Sequence, residues 1–328
     1  MRALVIDGAR DVRVTDVPRQ PIAEGDVRVR ISRVGLCGTD YALAQGQLGL
    51  NAFPVIPGHE VVGVVEESRS MALSVGDRVA LDPLLNCGSC WACHTNHPQW
   101  CTHVGVIGVV RSGGLQEELV LPAPHWIRIP PSVELSDAVL LEPAHVVDTI
   151  ISGVDIPSIR RVLVIGTGAL GLLLIKVLRH IASELSVWAY DTVSQRLDRA
   201  VQEQAEPWSS DSSNSVDLVI DGVGSPESAV LTAQAVRPGG RILIYGVPKP
   251  GSSVSTADVL FRKNVQVNYS RLYSHDFAAA LRWIESGWIT ANDMVSDTLT
   301  LEDAVGFLRD ARWQSPDRWG KTVVALDE

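Results

Sequence analysis

Cysteine, histidine and glutamate are the residues whose spacing in this chain points most directly to chemistry. Between Cys87 and Cys101 the sequence reads Cys-Gly-Ser-Cys-Trp-Ala-Cys-His-Thr-Asn-His-Pro-Gln-Trp-Cys, which puts Cys87, Cys90, Cys93 and Cys101 in one short loop. Cys-x-x-Cys steps let neighbouring thiolates reach a single zinc ion without stretching the backbone, and Gly88 and Ser89 permit the turns between them. Two disulfides, a redox Cys-x-x-Cys pair or an iron–sulfur cluster are the alternatives, and His94, His97 or His103 could replace a thiolate. None of them accounts for all four positions as well as zinc does in a large chain without secretory signals. A closed tetrathiolate site has no open position for substrate. The lobe is therefore expected to stabilise the protein while the reaction happens elsewhere.

The chain has 5 cysteines, so the lobe leaves Cys37 over. Cys37 sits in Gly35-Leu36-Cys37-Gly38-Thr39-Asp40, and a second short motif, Pro57-Gly58-His59-Glu60, follows. A thiolate from Cys37, an imidazole from His59 and a carboxylate from Glu60 would give a neutral three-ligand shell with a fourth position for water or substrate oxygen, as a catalytic zinc requires. Each residue also has a plainer reading, as a buried thiol, a hydrogen-bonded core histidine or a solvated carboxylate. The nearby cysteine lobe tips the balance toward metal. Asp40 is expected to accept the second ring N–H of His59 and fix its tautomer. Thr39 either offers a hydroxyl to relay a proton from the metal-bound oxygen or serves as a turn residue.

These side chains need elements to position them. With 328 residues the chain is long enough for two domains, and 46% hydrophobic with 20% charged residues is ordinary for a globular enzyme. A net charge of -10 argues against a nucleic-acid surface and a polybasic membrane anchor. The start, Met1-Arg2-Ala3-Leu4-Val5-Ile6-Asp7, lacks the apolar core and cleavage site of a signal peptide, so a cytoplasmic home is expected. The apolar run from Val162 to Ile175 is too short to span a bilayer. Short β-branched runs at Ala3–Ile6, Val27–Val34, Val61–Glu66, Arg78–Leu81 and Glu118–Leu121, punctuated by proline and glycine, predict a mostly antiparallel β-domain with long functional loops.

At Ser158 the texture changes to α/β alternation. Arg161–Ile165 predicts a strand, Gly166-Thr167-Gly168-Ala169-Leu170-Gly171 follows it, a helix runs to about Ile181, and a second strand, Ser186–Tyr190, ends in Asp191. An isolated Gly-x-Gly-x-x-Gly is weak, but this context makes it a dinucleotide fingerprint. Gly166 permits the tight turn, Gly168 lets the backbone approach the pyrophosphate, Gly171 allows close helix–strand packing, and the helix N-terminus attracts phosphate. Asp191 is placed to bond the adenosine ribose hydroxyls and repel a 2′-phosphate, so NAD is expected over NADP. Further strands are predicted at Val216–Ile220, Arg241–Val247 and Val265–Tyr269, and helices at Phe277–Ser286 and Leu301–Ala311 before a last strand, Thr322–Leu326. The serine-rich stretch Gln204–Ser215 predicts a solvated loop where a further strand would be expected.

Taken together these residues resemble the medium-chain, zinc-dependent alcohol and polyol dehydrogenases, the group that includes sorbitol and threonine dehydrogenases. The motifs that carry the resemblance, over nearly the whole chain, are Cys37-Gly38-Thr39-Asp40, Gly58-His59-Glu60, Val75-Gly76-Asp77-Arg78-Val79, the cysteine lobe, Gly113-Gly114, Glu142-Pro143, the glycine fingerprint and Gly320-Lys321. It implies an α/β protein in which a GroES-like, mostly-β catalytic domain (1–148, with the zinc lobe at 87–101) precedes a Rossmann doubly wound parallel-sheet domain (149–273). A C-terminal segment, 274–328, returns to the catalytic domain. By the same resemblance Cys37 and His59 are ligands of a catalytic zinc, with Glu60 as a third and Glu142 either on the metal or holding its water. Lys321 either sits behind the metal, where it could loosen Glu60, or is a solvated surface lysine. Leu170, Arg196, Val223 and Gly246 join Gly166, Gly168, Gly171 and Asp191 as cofactor-binding positions.

The activity so implied is oxidation of an alcohol, with two zinc ions per chain and NAD as hydride acceptor. The glutamate-bearing site favours a polar small-molecule substrate, a polyol, sugar, cyclitol or hydroxy-amino acid, and the family implies a homodimer or homotetramer. A reductase, epimerase or lyase on a biosynthetic pathway could use the same zinc and nicotinamide. A non-catalytic nucleotide-binding relative would have lost Cys37, His59 or Glu60, and all are present. The chain departs from the family at Ala42, where a proton-relaying histidine is common, and at His145, where a small residue is usual.

Overall fold

The computed structural model describes residues 1–48, 53–248, 256–315 and 317–327. Two compact units emerge, Met1–His145 with Tyr273–Ser315 and Lys321–Glu328, and Val146–Leu272 with Pro316–Gly320. Strands fill the early chain: β1 Arg2–Gly8, β2 Asp11–Asp16, β3 Asp26–Leu36, β4 Glu60–Ser68, β5 Arg78–Leu81, β6 Leu84–Leu85, β7 Gly105–Val106, β8 Glu118–Pro122 and β9 Trp126–Arg128. The second unit carries β10 Arg161–Ile165, β11 Ser186–Tyr190, β12 Glu206–Pro207, β13 Val216–Asp221, β14 Val236–Ile244 and β15 Gln266–Tyr269. In the first unit the chain closes with β16 Val295–Leu299 and β17 Lys321–Ala325.

In the first unit the main sheet runs β16-β17-β3-β4-β5-β9, with β8 also paired to β3. All of its pairings are antiparallel except β16 with β17. The hub is β3, whose Val27, Val29, Ile31, Val34 and Leu36 are buried, because β-branched side chains pack well on a pleated surface covered from both sides. Antiparallel pairing has a direct consequence for the site. Gly35 at the end of β3 faces Glu60 at the start of β4, and Leu36 faces Thr322 at the start of β17. Residues distant in sequence, Cys37, Glu60 and Lys321, are thereby delivered to one edge of the hub.

The second unit is a parallel sheet in the order β12-β11-β10-β13-β14-β15. Its central strand β10 is apolar and buried at Val162, Leu163, Val164 and Ile165, as a parallel strand covered on both faces must be. The helix Ala169–Ile181 buries Leu172, Leu173, Leu174 and Ile175. Strand order reverses between β11 and β13 on either side of β10, which opens a crevice at the carboxyl ends of the strands.

Two sequence expectations need adjustment. The stretch Gln204–Ser215 is not wholly a solvated loop: β12 pairs with β11 and Trp208 is buried in the core of the second unit. A single large aromatic inside a serine-rich run outweighs the polarity of its neighbours. The returning segment also differs, since residues 317–320 group with the second unit. Arg196 Nε donates to the Arg318 carbonyl at 3.0 Å, Gln195 Nε2 donates to Asp317 Oδ1 at 3.2 Å, and the Arg199 guanidinium lies 4.7 Å over the Trp319 ring.

Candidate active site

Cys37, His59 and Glu60 converge, with one ligand atom from each lying within 4.8 Å of the others. Asp40 joins the two loops that carry them. Its Oδ2 accepts from the Cys37 backbone N–H at 2.9 Å and its Oδ1 from the Gly58 backbone N–H at 3.0 Å, with the carboxylate fully buried. The Nδ1 of His59 stands 3.6 Å from Asp40 Oδ1, and the Asp40 carboxylate favours the protonated imidazole. Gly58, at a φ of +96, takes a conformation that disfavours any side chain, and its carbonyl is embraced by Gly108 and Gly113, where a Cβ would lie 2.6 and 2.1 Å away.

Glu60 is almost wholly buried. Its Oε1 accepts from Lys321 Nζ at 2.6 Å, while its Oε2 and His59 Nδ1 have no hydrogen-bond partner among the described residues. Lys321 is therefore buried behind Glu60 and is not a surface lysine. Burial disfavours its ammonium, but Glu60 and Cys37 more than offset that and raise its pKa. Burial likewise opposes charge on His59, yet Asp40 and Cys37 hold its pKa well above the ordinary value. The pocket thus surrounds His59 with negative charge and leaves a buried carboxylate oxygen unmatched, which fits a divalent cation at the convergence point. Thr39 Oγ1 lies 3.9 Å from Cys37 Sγ, beside this point.

Glu142 stands apart from that trio. It lies in the first turn of the helix Leu141–Ser152, and its Oε1 accepts from Tyr273 Oη at 2.7 Å. Glu142 is not among the three residues whose ligand atoms lie within 4.8 Å of one another, and one of its oxygens is held by the Tyr273 phenol. Burial, with Glu60 nearby, raises the Glu142 pKa against the opposing pull of His59, Tyr273 and Lys321.

The cysteine lobe is equally compact. The ligand sulfurs of Cys87, Cys90, Cys93 and Cys101 lie within 4.8 Å of one another, and all are free of disulfides. Cys90 and Cys93 sulfurs are 3.5 Å apart and those of Cys87 and Cys93 4.0 Å. Four thiolates at about 2.3 Å from one zinc would sit about 3.8 Å apart, so the lobe is already close to a tetrahedral shell. Hydrogen bonds from Ser89 push the Cys87 thiol down to about 5. The Asn86 amide and the His103 backbone N–H donate to the sulfurs of Cys93 and Cys101 at 3.3 Å. Trp91 and Trp100 stack on each other on the exposed side of the lobe. Tyr41 stacks on Trp313 and packs against the core.

In the second unit the fingerprint glycines follow β10 and lead into the helix Ala169–Ile181. Gly166 has a φ of +87, a Cβ on Gly171 would lie 2.0 Å from the Gly166 carbonyl oxygen, and a Cβ on Gly168 would meet nothing within 4 Å, so the backbone there is open to a ligand. Leu170 is in the first turn of the helix that follows. Asp191 Oδ2 accepts from the Thr167 backbone N–H at 2.8 Å, tying the end of β11 to the glycine loop. Val223 and Gly246 come from the carboxyl ends of β13 and β14, and a Cβ on Gly246 would lie 2.4 Å from the Val223 backbone. Sequence reasoning missed Asp221, which is buried at the end of β13 and accepts from the Val223 and Gly224 backbone at 2.8 and 3.1 Å. An aspartate closing an apolar strand just before Gly-x-Gly was the available signal.

Fold and site together define a dinucleotide-linked, metal-dependent enzyme. Residues 23–131 match the alcohol dehydrogenase GroES-like domain, and residues 169–286 match the domain described as zinc-binding dehydrogenase. D-altritol 5-dehydrogenase of Agrobacterium fabrum is 30% identical over 321 residues, covering 90% of this chain and 91% of its own. The starvation-sensing protein RspB of Escherichia coli is 27% identical over 316 residues, covering 92% and 93%. A crystal structure of an alcohol dehydrogenase (rspB) from E. coli CFT073, complexed with NADH, superposes with a TM-score of 0.88 at 25% identity, covering 99% of each chain. The chain belongs to the zinc-dependent medium-chain alcohol and polyol dehydrogenase family, and its activity is that of an alcohol oxidoreductase. Among the described residues no helix is long and apolar enough to cross a membrane.

Proposed function

We propose that the chain oxidises a secondary alcohol of a polar small molecule, a polyol, sugar, cyclitol or hydroxy-amino acid, with NAD. Cys37, His59 and Glu60 hold the catalytic zinc with Glu142 beside it, and Cys87, Cys90, Cys93 and Cys101 hold the structural one. The observation that carries this is the Cys37–His59–Glu60 convergence, buried at His59 and Glu60, with an unmatched Glu60 oxygen inside it and Lys321 behind it. Zinc held there supplies Lewis acidity toward an alcohol oxygen, and the dinucleotide supplies the hydride acceptor. Thr39 takes the proton of the substrate hydroxyl. Thr39 gives up its own hydroxyl proton as it does so, and Ala42 offers no titratable group to receive it. Lys321 balances the charge of Glu60, and Asp40 keeps the two ligand loops in register.

Gly166, Gly168, Leu170, Gly171, Asp191, Arg196, Val223 and Gly246 are assigned to the NAD site, with Asp191 disfavouring a 2′-phosphate. The first unit, Met1–His145 with Tyr273–Ser315 and Lys321–Glu328, is the catalytic domain on this reading, and the second is the cofactor domain. The polar substrate class draws support from a relative named for D-altritol. A homodimer or homotetramer is favoured by β15, which has β14 as its one strand neighbour among the described residues and exposes Gln266–Tyr269 along its length. The cytoplasm is the compartment assigned, since free cysteines in a zinc lobe suit a reducing environment.

A panel of polyols, sugar acids, cyclitols and threonine, followed by NADH absorbance, tests the reading. Net NADH accumulation is expected with at least one member, and much less nicotinamide reduction with NADP. Turnover of a panel member without net NADH would favour an epimerase or lyase instead.

A further inference from the structure

Tyr273 is almost wholly buried and gives its hydroxyl to Glu142 Oε1 at 2.7 Å. Its position is over-determined. The ring lies 5.0 Å from the His145 ring and 5.6 Å from Phe277, and His145 itself sits 4.1 Å from Phe277. His145 Nε2 meets the Ser274 carbonyl at 2.9 Å, which fixes the next residue of the same segment. One residue further on, His275 Nδ1 bonds the buried Asp82 carboxylate. Three consecutive residues are thus anchored, and the phenol has no freedom to follow Glu142 if that carboxylate moves.

Glu142 is buried, is held by Tyr273, and lies outside the trio whose ligand atoms converge within 4.8 Å. A second buried carboxylate able to reach that centre would compete for the position left over by Cys37, His59 and Glu60. We propose that Tyr273 is a positioning residue that holds Glu142 off the metal, so that the fourth coordination position stays available to substrate oxygen. The inference rests on the reading of Cys37, His59 and Glu60 as metal ligands. Histidine at 145 then has a role as well, since its ring and its bond to Ser274 brace the tyrosine.

The test uses protein loaded with cobalt(II) in place of zinc, with imidazole as the probe of the open position. The visible spectrum of the Cys37 centre is isolated as the difference between wild type and Cys37→Ser, which removes the contribution of the lobe. Tyr273→Phe retains the ring and its packing and loses only the hydroxyl. Imidazole should shift the wild-type difference spectrum, and Tyr273→Phe should bind it roughly 10–100-fold more weakly, the range typical of lost outer-shell bonds. Adding Glu142→Ala to Tyr273→Phe should restore imidazole binding, which a merely misfolded variant would not do. Wild-type imidazole affinity in Tyr273→Phe, or no recovery in the double variant, overturns the inference. A cobalt spectrum that Cys37→Ser leaves unchanged overturns the metal reading and this inference with it.

Discussion

Gly35 shows how much of the site depends on a side chain that is absent. A Cβ at this position would sit 2.1 Å from Glu60 Oε2 and 3.1 Å from Glu60 Cβ, so the free oxygen of Glu60 occupies space that only glycine leaves. Gly35→Ala is expected to lower kcat/KM by roughly 10–100-fold, the cost of misplacing a metal ligand or its support. Thermal unfolding should move little by comparison, because the residue is not in the left-handed region and its backbone is already extended in β3. Steady-state kinetics alongside a melting curve measure both, and wild-type kinetics in the alanine variant would contradict the packing argument. The three converging side chains were legible in the sequence as candidate ligands, since Cys37, His59 and Glu60 carry their chemistry in their residue types. Their supports were not. Gly35, Tyr273 and the double backbone bond of Asp40 act through three-dimensional approach, which spacing along the chain does not encode.

Among the elements, β3 carries the largest share of the organisation and is held on one side by a partly exposed charge cluster. Arg28 Nη1 on β3 and Arg19 Nε both donate to Glu118 Oε2 on β8 at 2.9 Å. Burial pushes the Glu118 carboxyl up, but the hydrogen bonds from Arg19 and Arg28 prevail and hold it below its ordinary value of 4.5. A carboxyl lowered on folding adds stability above its unfolded pKa and loses it as pH falls through the folded one. Wild-type stability should therefore drop as the pH is taken below 4.5, and Glu118→Gln should flatten that acid limb. At neutral pH the variant should be roughly 1–2 kcal/mol less stable, given the usual worth of hydrogen bonds to a charged group. Urea titrations across pH measure this, and parallel acid limbs in the two proteins would count against the pair.

The same scale shows where element prediction held and where it did not. The strands of the hub sheet and of the Rossmann sheet were legible because β-branched runs and glycine punctuation mark them without reference to partners. The short β12 was not, because two residues paired to an edge leave no periodicity and the serines around Trp208 read as solvated. Nor was the attachment of residues 317–320 to the helix Ser194–Gln202, which depends on an arginine, a tryptophan and a backbone carbonyl that meet only in the fold.

Across the whole molecule, the proposed function divides labour between two metal sites. The lobe sequesters four of the 5 cysteines and closes on itself, which leaves a single thiol for a centre that must stay open. The antiparallel sheet brings that thiol to His59, Glu60 and Lys321, while the parallel sheet carries the glycine loop with Asp191 bonded to it. Metal analysis of purified wild type and Cys37→Ser, paired with NAD-linked activity, tests this most directly. Wild type should hold about two zinc per chain, and Cys37→Ser should keep the lobe zinc while losing the other together with activity. Retention of both zinc ions by Cys37→Ser would contradict the assignment of the catalytic centre.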